Sequence, residues 1–453
     1  MKICAYVQEA YAKANYKNEC MDARQFVGLR VIIDCLNRAG YEVDYAGIAT
    51  VHQYDVVLVS LTSDCDWWSY IAERQRWRKG DYKVLIGGAG VLHVVPFLRW
   101  FYAVMFGRGE NLIVPLVQSI ERGERWHRDS VLYADEFSYD RIWRIEQTDT
   151  PYQYELQLNE KKVFVEEEIG CNHRCLFCGY TWQRKFVSPH NDYRMGYGLF
   201  SMEDKERAML DLDKDPDCID WKHLRTTAID GFSERIRCGV NKRITSRIMH
   251  NFLMAMLAYD GPAHQIKLFN ICGYPSETDD DWREFLEELR RADLESPKRD
   301  KQWSIVLHST PFRPMPATPM ACASMSLKNY RGLIGSKLGK GLKGGLIYQG
   351  PSLWAVESMG TDSLSTVMLS AIAHRGSEAD SENIAKLCAT KKFWSAPSAA
   401  KEATLTKYFD MDDLFAAKTP EDLPSRYLRT YAQVEKAWGK TPLEVEERRR
   451  RNG

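Results

Sequence analysis

Three cysteines fall in one short run, Gly170-Cys171-Asn172-His173-Arg174-Cys175-Leu176-Phe177-Cys178-Gly179-Tyr180, with the spacing Cys-x3-Cys-x2-Cys. Thiolates this close together can wrap a single soft-metal centre. A [4Fe–4S] cluster takes four ligands, as in ferredoxin-type runs. Here no fourth cysteine is near, so one iron would stay open to a ligand from outside the chain. Structural zinc wants four closed ligands. His173 could be offered as the fourth, but two residues from each flanking cysteine it would strain a tetrahedral site. Uncoordinated thiols are the bland alternative. The run follows the strand-like stretch VFVEEEI, which places it at a strand end.

The rest of the composition sets the frame for that chemistry. A chain of 453 residues suggests about three domains at roughly 150 residues each. With 44% hydrophobic and 27% charged residues it reads as a globular protein, against disorder, collagen and coiled coil. Lys+Arg and Asp+Glu are both 62, so no global field steers the chain to nucleic acid or membrane. No apolar run approaches the ~18 residues of a membrane span. The N-terminal MKICAYVQEAYAKAN lacks the apolar core of a signal peptide, so a cytoplasmic location is expected. In that compartment the 12 cysteines read as free thiols, redox groups or metal ligands.

The first part of the chain alternates short apolar runs with helical stretches. Expected strands are Lys2–Val7, Tyr41–Ala46, Tyr54–Ser60, Lys83–Gly87 and Tyr102–Phe106, and the clearest helix is Ala23–Ala39, closed by Gly40. The run VVLVS has the continuous apolar character of a strand buried on both faces. Together they predict an α/β fold opening with a doubly wound, Rossmann-like parallel sheet, whose ligands sit outside the carboxyl ends of the strands. Two glycine clusters fall at such ends: Gly87-Gly88-Ala89-Gly90 and Gly107-Arg108-Gly109-Glu110. Glycine there permits a tight turn or a close backbone approach to a ligand.

The cysteine run also resembles the signature of the radical SAM superfamily, Cys-x3-Cys-x-aromatic-Cys, with Phe177 as the aromatic residue. Three further stretches extend the resemblance over about 160–325. Residues 227–245, TAIDGFSERIRCGVNKRIT, look like the superfamily's "E/D-x-G-S-x-R-L-R…N-K-x-I-T". Residues 267–280, KLFNICGYPSETDD, look like its "G-L-P-G-E-T" strand and turn, and residues 307–319, LHSTPFRPMPATP, resemble the close of its barrel. The resemblance implies a partial (β/α)6 TIM-type barrel. It implies that Cys171, Cys175 and Cys178 hold a [4Fe–4S] cluster whose open iron is chelated by S-adenosyl-L-methionine. Reductive cleavage would then yield a 5′-deoxyadenosyl radical that attacks an unactivated C–H bond, with electrons from a donor such as flavodoxin or ferredoxin. Cofactor contacts are implied at Phe177, Gly179, Asp230, Ser233, Glu234, Arg235, Lys242 and Gly273. Read from the residues alone, Ser233, Glu234, Arg235 and Lys242 could equally form a helix cap and a solvated charged turn. Pro311, Pro314, Pro316 and Pro319 stiffen the exit from the barrel, and His308 near its mouth reads as structural rather than catalytic.

In the branch of that superfamily with an N-terminal B12-binding domain, the pattern KVLIGGAG…FGRGENLIVPLV is similar to the late half of that domain. This implies cobalamin contacts at Gly87, Gly88 and Gly109. Many such domains carry Asp-x-His-x-x-Gly after the first strand, whereas this chain has no histidine before His52. Cobalamin would bind without a protein lower ligand, or the domain would only shape the site. The resulting organisation is 1–125 B12-binding-like, 126–160 linker, 161–325 radical SAM core and 326–453 a small α-rich region, with a helix at Ser425–Trp438. The segment Arg331–Gly345 holds six glycines, four basic residues and no acid, and Arg448–Arg451 closes the tail. Both would suit phosphates. Zero net charge and the shortness of the basic segment favour a small-molecule substrate over a nucleotide or nucleic acid. Three functions stay open: cobalamin-dependent methylation of a C–H bond, cobalamin-free radical rearrangement, and a non-catalytic Fe–S or zinc module.

Overall fold

The computed structural model describes residues 1–8, 27–159, 162–166, 169–171, 173–187, 196–197, 200–201, 209, 219, 221–222, 224, 226–296, 303–325, 345–360 and 363–429. Residues 331–344 of the glycine-rich basic segment and the arginine tail lie outside the described residues.

Strands β1 (Ile3–Tyr6), β2 (Val43–Ala46), β3 (Val56–Ser60), β4 (Lys83–Gly87), β5 (Ala103–Met105) and β6 (Val131–Tyr133) form one sheet in the order β2-β1-β3-β4-β5-β6. All neighbours run parallel except β5 and β6. The first five strands match the expected ones within two residues. The antiparallel β6 was not expected, because VLY is too short to stand out as a strand.

Successive residues of the central strands feed opposite cores. Val57, Val59, Val84 and Ile86 face one side, with the indoles of α2 (Asp66–Arg74). Val56, Leu58 and Leu85 face the other, with α1 (Val27–Arg38) and α3 (Ile113–Glu121). That is the doubly covered sheet the VVLVS run called for. Trp67, Trp68 and Trp182 are all buried core residues.

A second sheet comprises β7 (Thr226–Ala228), β8 (Gln265–Cys272), β9 (Trp303–Pro311), β10 (Gly345–Tyr348) and β11 (Leu353–Gly360), in the order β7-β8-β9-β11-β10. It is parallel except for the β10–β11 pair. Helices α5 (Glu234–Gly239) and α6 (Ser246–Ala258) connect β7 to β8, and α7 (Asp279–Glu295) connects β8 to β9. Along β8 the alternate residues Ile266, Leu268, Asn270 and Cys272 are buried, while Lys267 and Phe269 are exposed. The buried side meets Phe252, Leu253, Phe285 and Leu289 of α6 and α7.

Among the described residues this second sheet is open and mainly parallel, as part of an α/β fold. Two of its strands, β10 and β11, come from beyond residue 325. The stretch 126–160, expected as a linker, supplies β6 and a two-residue strand, Trp143–Arg144, that pairs with Leu428–Arg429.

Helix α8 (Leu364–Arg375) is buried on nearly every side, as expected for a helix apolar all round. It opens the expected α-rich region, which continues through Ser381–Ala389, Ser398–Tyr408 and Met411–Phe415. The expected helix at Ser425–Trp438 does not begin there: residues 425–427 turn and lead into the strand Leu428–Arg429, and 430–438 lie outside the described residues. The reason is Tyr427, whose fully buried ring meets Phe137 and Trp143. Its hydroxyl accepts from Val94 N at 3.0 Å, which ties this turn to the first sheet.

Candidate functional site

The cysteine loop lies against the carboxyl ends of the second sheet, where ligands of open α/β sheets collect. Gly170, with φ +75°, turns the chain beside the backbone of Lys185, which leaves no room for a side chain. Leu176 N donates to Val240 O at 2.9 Å, and Leu176 packs with Trp182, Ile236, Val240, Tyr274 and Phe312. Trp182 Nε1 donates to Cys175 O at 2.9 Å, and Thr181 Oγ1 donates to Cys171 O at 2.7 Å. From across the site the Asn241 side-chain amide donates to both His173 O and Arg174 O at 2.8 Å. Non-glycine residues with left-handed backbone gather here: Arg174 (φ 53°), Asp230 (45°), Asn241 (66°) and Arg243 (28°). Such conformations cost free energy and persist only where surrounding contacts enforce them.

Cys171 and Cys175 are buried and Cys178 is half-buried, and none of the three is in a disulfide. Burial pushes the Cys175 thiol up and Lys242 opposes it, while negative charge on Cys178, Asp230 or Cys171 would push it further. The three thiols therefore feel one another. Among the described residues, however, no three His, Cys, Asp or Glu side chains converge as a metal-ligand set. The donor chemistry suits an iron–sulfur centre: three soft sulfurs on one pinned loop beside a buried ammonium.

The other expected contact residues surround that loop. Phe177 faces Tyr274 with ring centroids 6.2 Å apart, and Gly179 opens α4 (Gly179–Gln183) directly after Cys178. Asp230 follows β7, and its carboxylate holds Lys242 Nζ at 2.6 Å. Gly273 follows β8 with φ +81°.

The polar groups of the 233–235 stretch are taken up within the protein. Ser233 caps α5 by accepting from Ile236 N at 3.2 Å and donates to Asp281. Glu234 accepts from Ser246 N at 2.7 Å. Arg235 pairs with Asp281 at 2.6 Å. These bonds join the start of α5 to α6 and α7.

Two residues that sequence reasoning passed over organise this turn. Arg237, fully buried, donates to Phe232 O at 2.6 Å and Ile244 O at 2.7 Å, fixing the loop that carries Asn241. Glu277 is buried, accepts from Gly273 N, and is pushed up to about 8, chiefly by burial. Asn241 was visible as the Asn of GVNKRIT, a residue type that tolerates left-handed backbone.

The first sheet carries a cavity of about 330 Å³ at the carboxyl ends of β3, β4 and β5. Gly87, Gly88 and Gly109 all line it. Their reasons differ. Gly88, at φ +108°, crosses the backbone of Leu61, where a Cβ would collide with the carbonyl oxygen. At Gly109 a Cβ would meet Ile32 Cδ1 at 2.8 Å, whereas at Gly87 it would find only ordinary contact with Met105. No histidine lines this cavity among the described residues. Its rim carries Arg108, bidentate to Glu166 at 2.7 and 2.6 Å and also paired with Glu110. Burial raises the Glu110 carboxyl.

Gln183 and Arg184, at the end of α4, line this cavity and also a second one of about 180 Å³. The helix that starts at Cys178 is therefore a shared wall.

No family model and no curated protein matches the sequence. Among solved structures, the cobalamin-dependent S-adenosylmethionine radical enzyme OxsB with aqua-cobalamin bound is similar at 10% identity and a TM-score of 0.23, over 68% of this chain and 43% of that one. The same enzyme with aqua-cobalamin and S-adenosylmethionine bound is similar at 9% identity and a TM-score of 0.25, over 94% of this chain and 59% of that one. This chain thus spans less than two thirds of either, and at these values neither likeness fixes a shared fold. The site stands on its own geometry: a pinned loop of three thiols at the carboxyl ends of one sheet, continued by a helix that walls a cavity at the carboxyl ends of another.

Proposed function

We propose that the chain is a radical SAM enzyme in which Cys171, Cys175 and Cys178 hold a [4Fe–4S] cluster and the cavity above β3–β5 holds a corrinoid. The observation that carries this reading is the position of α4, which leads from Cys178 into the wall of that cavity. The chemistry such a pair of cofactors supplies is reductive cleavage of S-adenosylmethionine and methylation of an unactivated C–H bond.

The chain's own residues do the positioning. Asn241 and Trp182 hold the loop carbonyls, so that the loop keeps its shape while its thiols bind metal. Lys242, held by Asp230, places positive charge beside the sulfurs and offsets the negative charge of a thiolate set. Phe177 and Tyr274 form an apolar wall suited to an adenine ring, and Gly273 leaves space beside it. Gly87 and Gly109 give the corrinoid a side-chain-free edge. With no histidine among the described lining residues, it would be held without an imidazole on cobalt. The second sheet is read as part of the barrel implied by the motifs, and the division at 125, 160 and 325 belongs to the same proposal. The implied partners are a flavodoxin- or ferredoxin-type donor and a small-molecule substrate.

The test is anaerobic reconstitution with iron, sulfide and hydroxocobalamin, followed by absorption spectra. The expected result is Fe–S absorption that disappears in Cys171→Ala, Cys175→Ala and Cys178→Ala but survives Cys4→Ala and Cys388→Ala, together with a retained corrinoid spectrum. Full iron content in Cys175→Ala would overturn the assignment. Iron retention with no corrinoid uptake would replace methylation by radical rearrangement.

A further inference from the structure

The second cavity draws on both sheets: Asp64 follows β3, His93 follows β4, Pro316 follows β9, and His374 comes from α8. Helix α4 closes it with Gly179, Gln183 and the next residue, Arg184.

Most of the charge in this chamber is matched within the protein. Asp64 accepts from Ser370, with His374 Nε2 3.3 Å and Arg313 3.6 Å from its carboxylate. Burial opposes charge on Asp64, but His374, Arg313 and Ser370 outweigh it and hold the carboxyl below its usual range. Both lining imidazoles are neutral near pH 7, because burial pushes His93 down to about 3 and His374 to about 4. Asp64 and Arg313 offset each other. Among the described lining residues, the charge left unmatched is that of Arg184.

Arg184 is half-buried, and among the described residues its guanidinium makes no hydrogen bond and no ion pair. Glu110 and Glu166, on the first cavity, are both taken by Arg108. The Arg184 guanidinium lies over the Tyr180 ring, 4.3 Å from its centroid. That cation–π contact uses the ring's face and leaves the edge of the guanidinium to a ligand. Nη1 is sealed from solvent, whereas Nε and Nη2 are not, so these two are the donors a ligand can reach.

Gln183 stands beside it, 6% exposed. Its amide makes no hydrogen bond among the described residues, yet it is not sealed either. A Cβ at Gly179 would lie 3.0 Å from its Nε2, so the glycine leaves this amide its place over the start of α4. A polar side chain so deeply buried is ordinarily hydrogen-bonded. Two neighbouring residues thus offer N–H donors and a single positive charge to one chamber. A carboxylate matches both, since a guanidinium binds it through paired charge-assisted hydrogen bonds. A phosphate monoester carries about −1.5 to −2, more than this one cation balances beside Asp64.

We propose that Gln183 and Arg184 form a carboxylate site in this chamber, and that it holds a small monoanionic organic acid, the substrate of the enzyme proposed above. The assignment as substrate rests on that reading; the binding does not.

The test is ligand-observed NMR on the full chain at fixed ionic strength, both as purified and after reconstitution. Butanoate is the probe, butanamide its uncharged isostere and ethyl phosphate the competing oxyanion. Saturable butanoate binding is expected, with butanamide at least about tenfold weaker, the worth of one hydrogen bond to a charged group. Ethyl phosphate should bind no more tightly than butanoate. Arg184→Gln should weaken butanoate about tenfold and leave butanamide unchanged, while Arg184→Lys, which keeps the charge, should retain part of the affinity. Met315 lines the second cavity and not the first, so Met315→Trp should fill the chamber and abolish binding. The proposal is overturned if butanoate shows no saturable binding, if butanamide binds equally well, if ethyl phosphate binds more tightly, or if either Arg184→Gln or Met315→Trp leaves butanoate unaffected. Should Met315→Trp fail to fold, the three probes on the unsubstituted chain and Arg184→Gln decide the matter. A chain that binds butanoate but takes up no iron would refute the radical function and leave this site standing. A chain that takes up iron and corrinoid but binds no butanoate would do the reverse.

Discussion

Asn241 is the residue on which the shape of the cysteine loop most depends. Its amide nitrogen serves two carbonyls, His173 O and Arg174 O, both at 2.8 Å, and the residue is 6% exposed. Replacement by Ala removes both bonds. At about 0.5–1.5 kcal/mol each, that is about 2 kcal/mol. The backbone adds a second cost, because φ is +66° and an alanine Cβ in that region is worth about 1 kcal/mol of strain. Asn241→Ala should therefore lower stability by about 3 kcal/mol, while Asn241→Gly escapes the strain and should be about 1 kcal/mol less costly.

The pair separates the two causes. Urea unfolding of each variant gives the stabilities, and iron bound after anaerobic reconstitution gives the consequence for the site. Both variants should lose iron, because the loop that carries Cys171 and Cys175 is no longer held from the far side. If Gly is as destabilising as Ala, the left-handed backbone is not the source of the difference. If both stay within about 0.5 kcal/mol of the unsubstituted chain and bind iron normally, Asn241 does not hold the loop.

Gly88→Ala should cost about 3 kcal/mol, since the new Cβ meets the Leu61 carbonyl at a φ of +108°. Gly87→Ala should change stability by under about 1 kcal/mol yet weaken corrinoid retention, because only Met105 lies near its Cβ; thermal melts and corrinoid absorbance check both. Glu277 gives a pH signature. Its folded-state value of about 8 lies above the ordinary 4.5, so between those values the folded chain binds more protons than the unfolded one. Stability from this group is full below about pH 4.5 and is lost as pH rises through about 8. Melting temperatures of the wild type and Glu277→Gln should run parallel below that window and diverge through it, the wild type falling. Parallel curves throughout would show that the carboxyl titrates normally.

The first sheet was legible because its strands are buried on both faces, and such strands read as unbroken apolar runs. VVLVS and KVLIG announce themselves. β6 and the strand Leu428–Arg429 did not, since two or three residues cannot show a period and their place is set by distant partners. Leu428 and Arg429 pair with Trp143 and Arg144, and the anchoring Tyr427 ring is held by Phe137 and Trp143. No local signal encodes that. β10 and β11 were hidden for a related reason: they follow a glycine-rich basic segment that dominated the reading of everything after it.

Around the cysteines the sequence marked where the site lies better than how it is built. Asp230 and Lys242 act on Cys175, while Ser233, Glu234 and Arg235 reach Asp281 and Ser246, and spacing along a chain cannot say whether a charge meets a ligand or another side chain. Lys242 meets Asp230, and Arg235 meets Asp281. The polar chamber at His93 and His374 was invisible for the same reason. Its groups come from positions as far apart as Asp64 and His374, and only folding brings them within 3.3 Å.

The position of α4 has a physical consequence for how the two cavities act together. Gln183 and Arg184 belong to both linings, and the helix is tied to Cys175 by Trp182 and to Cys171 by Thr181. A five-residue helix has too few internal hydrogen bonds to hold its place alone. Its position is set by those two side chains and by its neighbours. Any change that shifts the loop carbonyls must therefore move the walls of both cavities at once. Occupancy of the cysteine site and binding in the cavities should be coupled through α4, and Thr181→Val, which removes a hydroxyl at nearly constant volume, is the substitution that should loosen that coupling while leaving all three thiols in place.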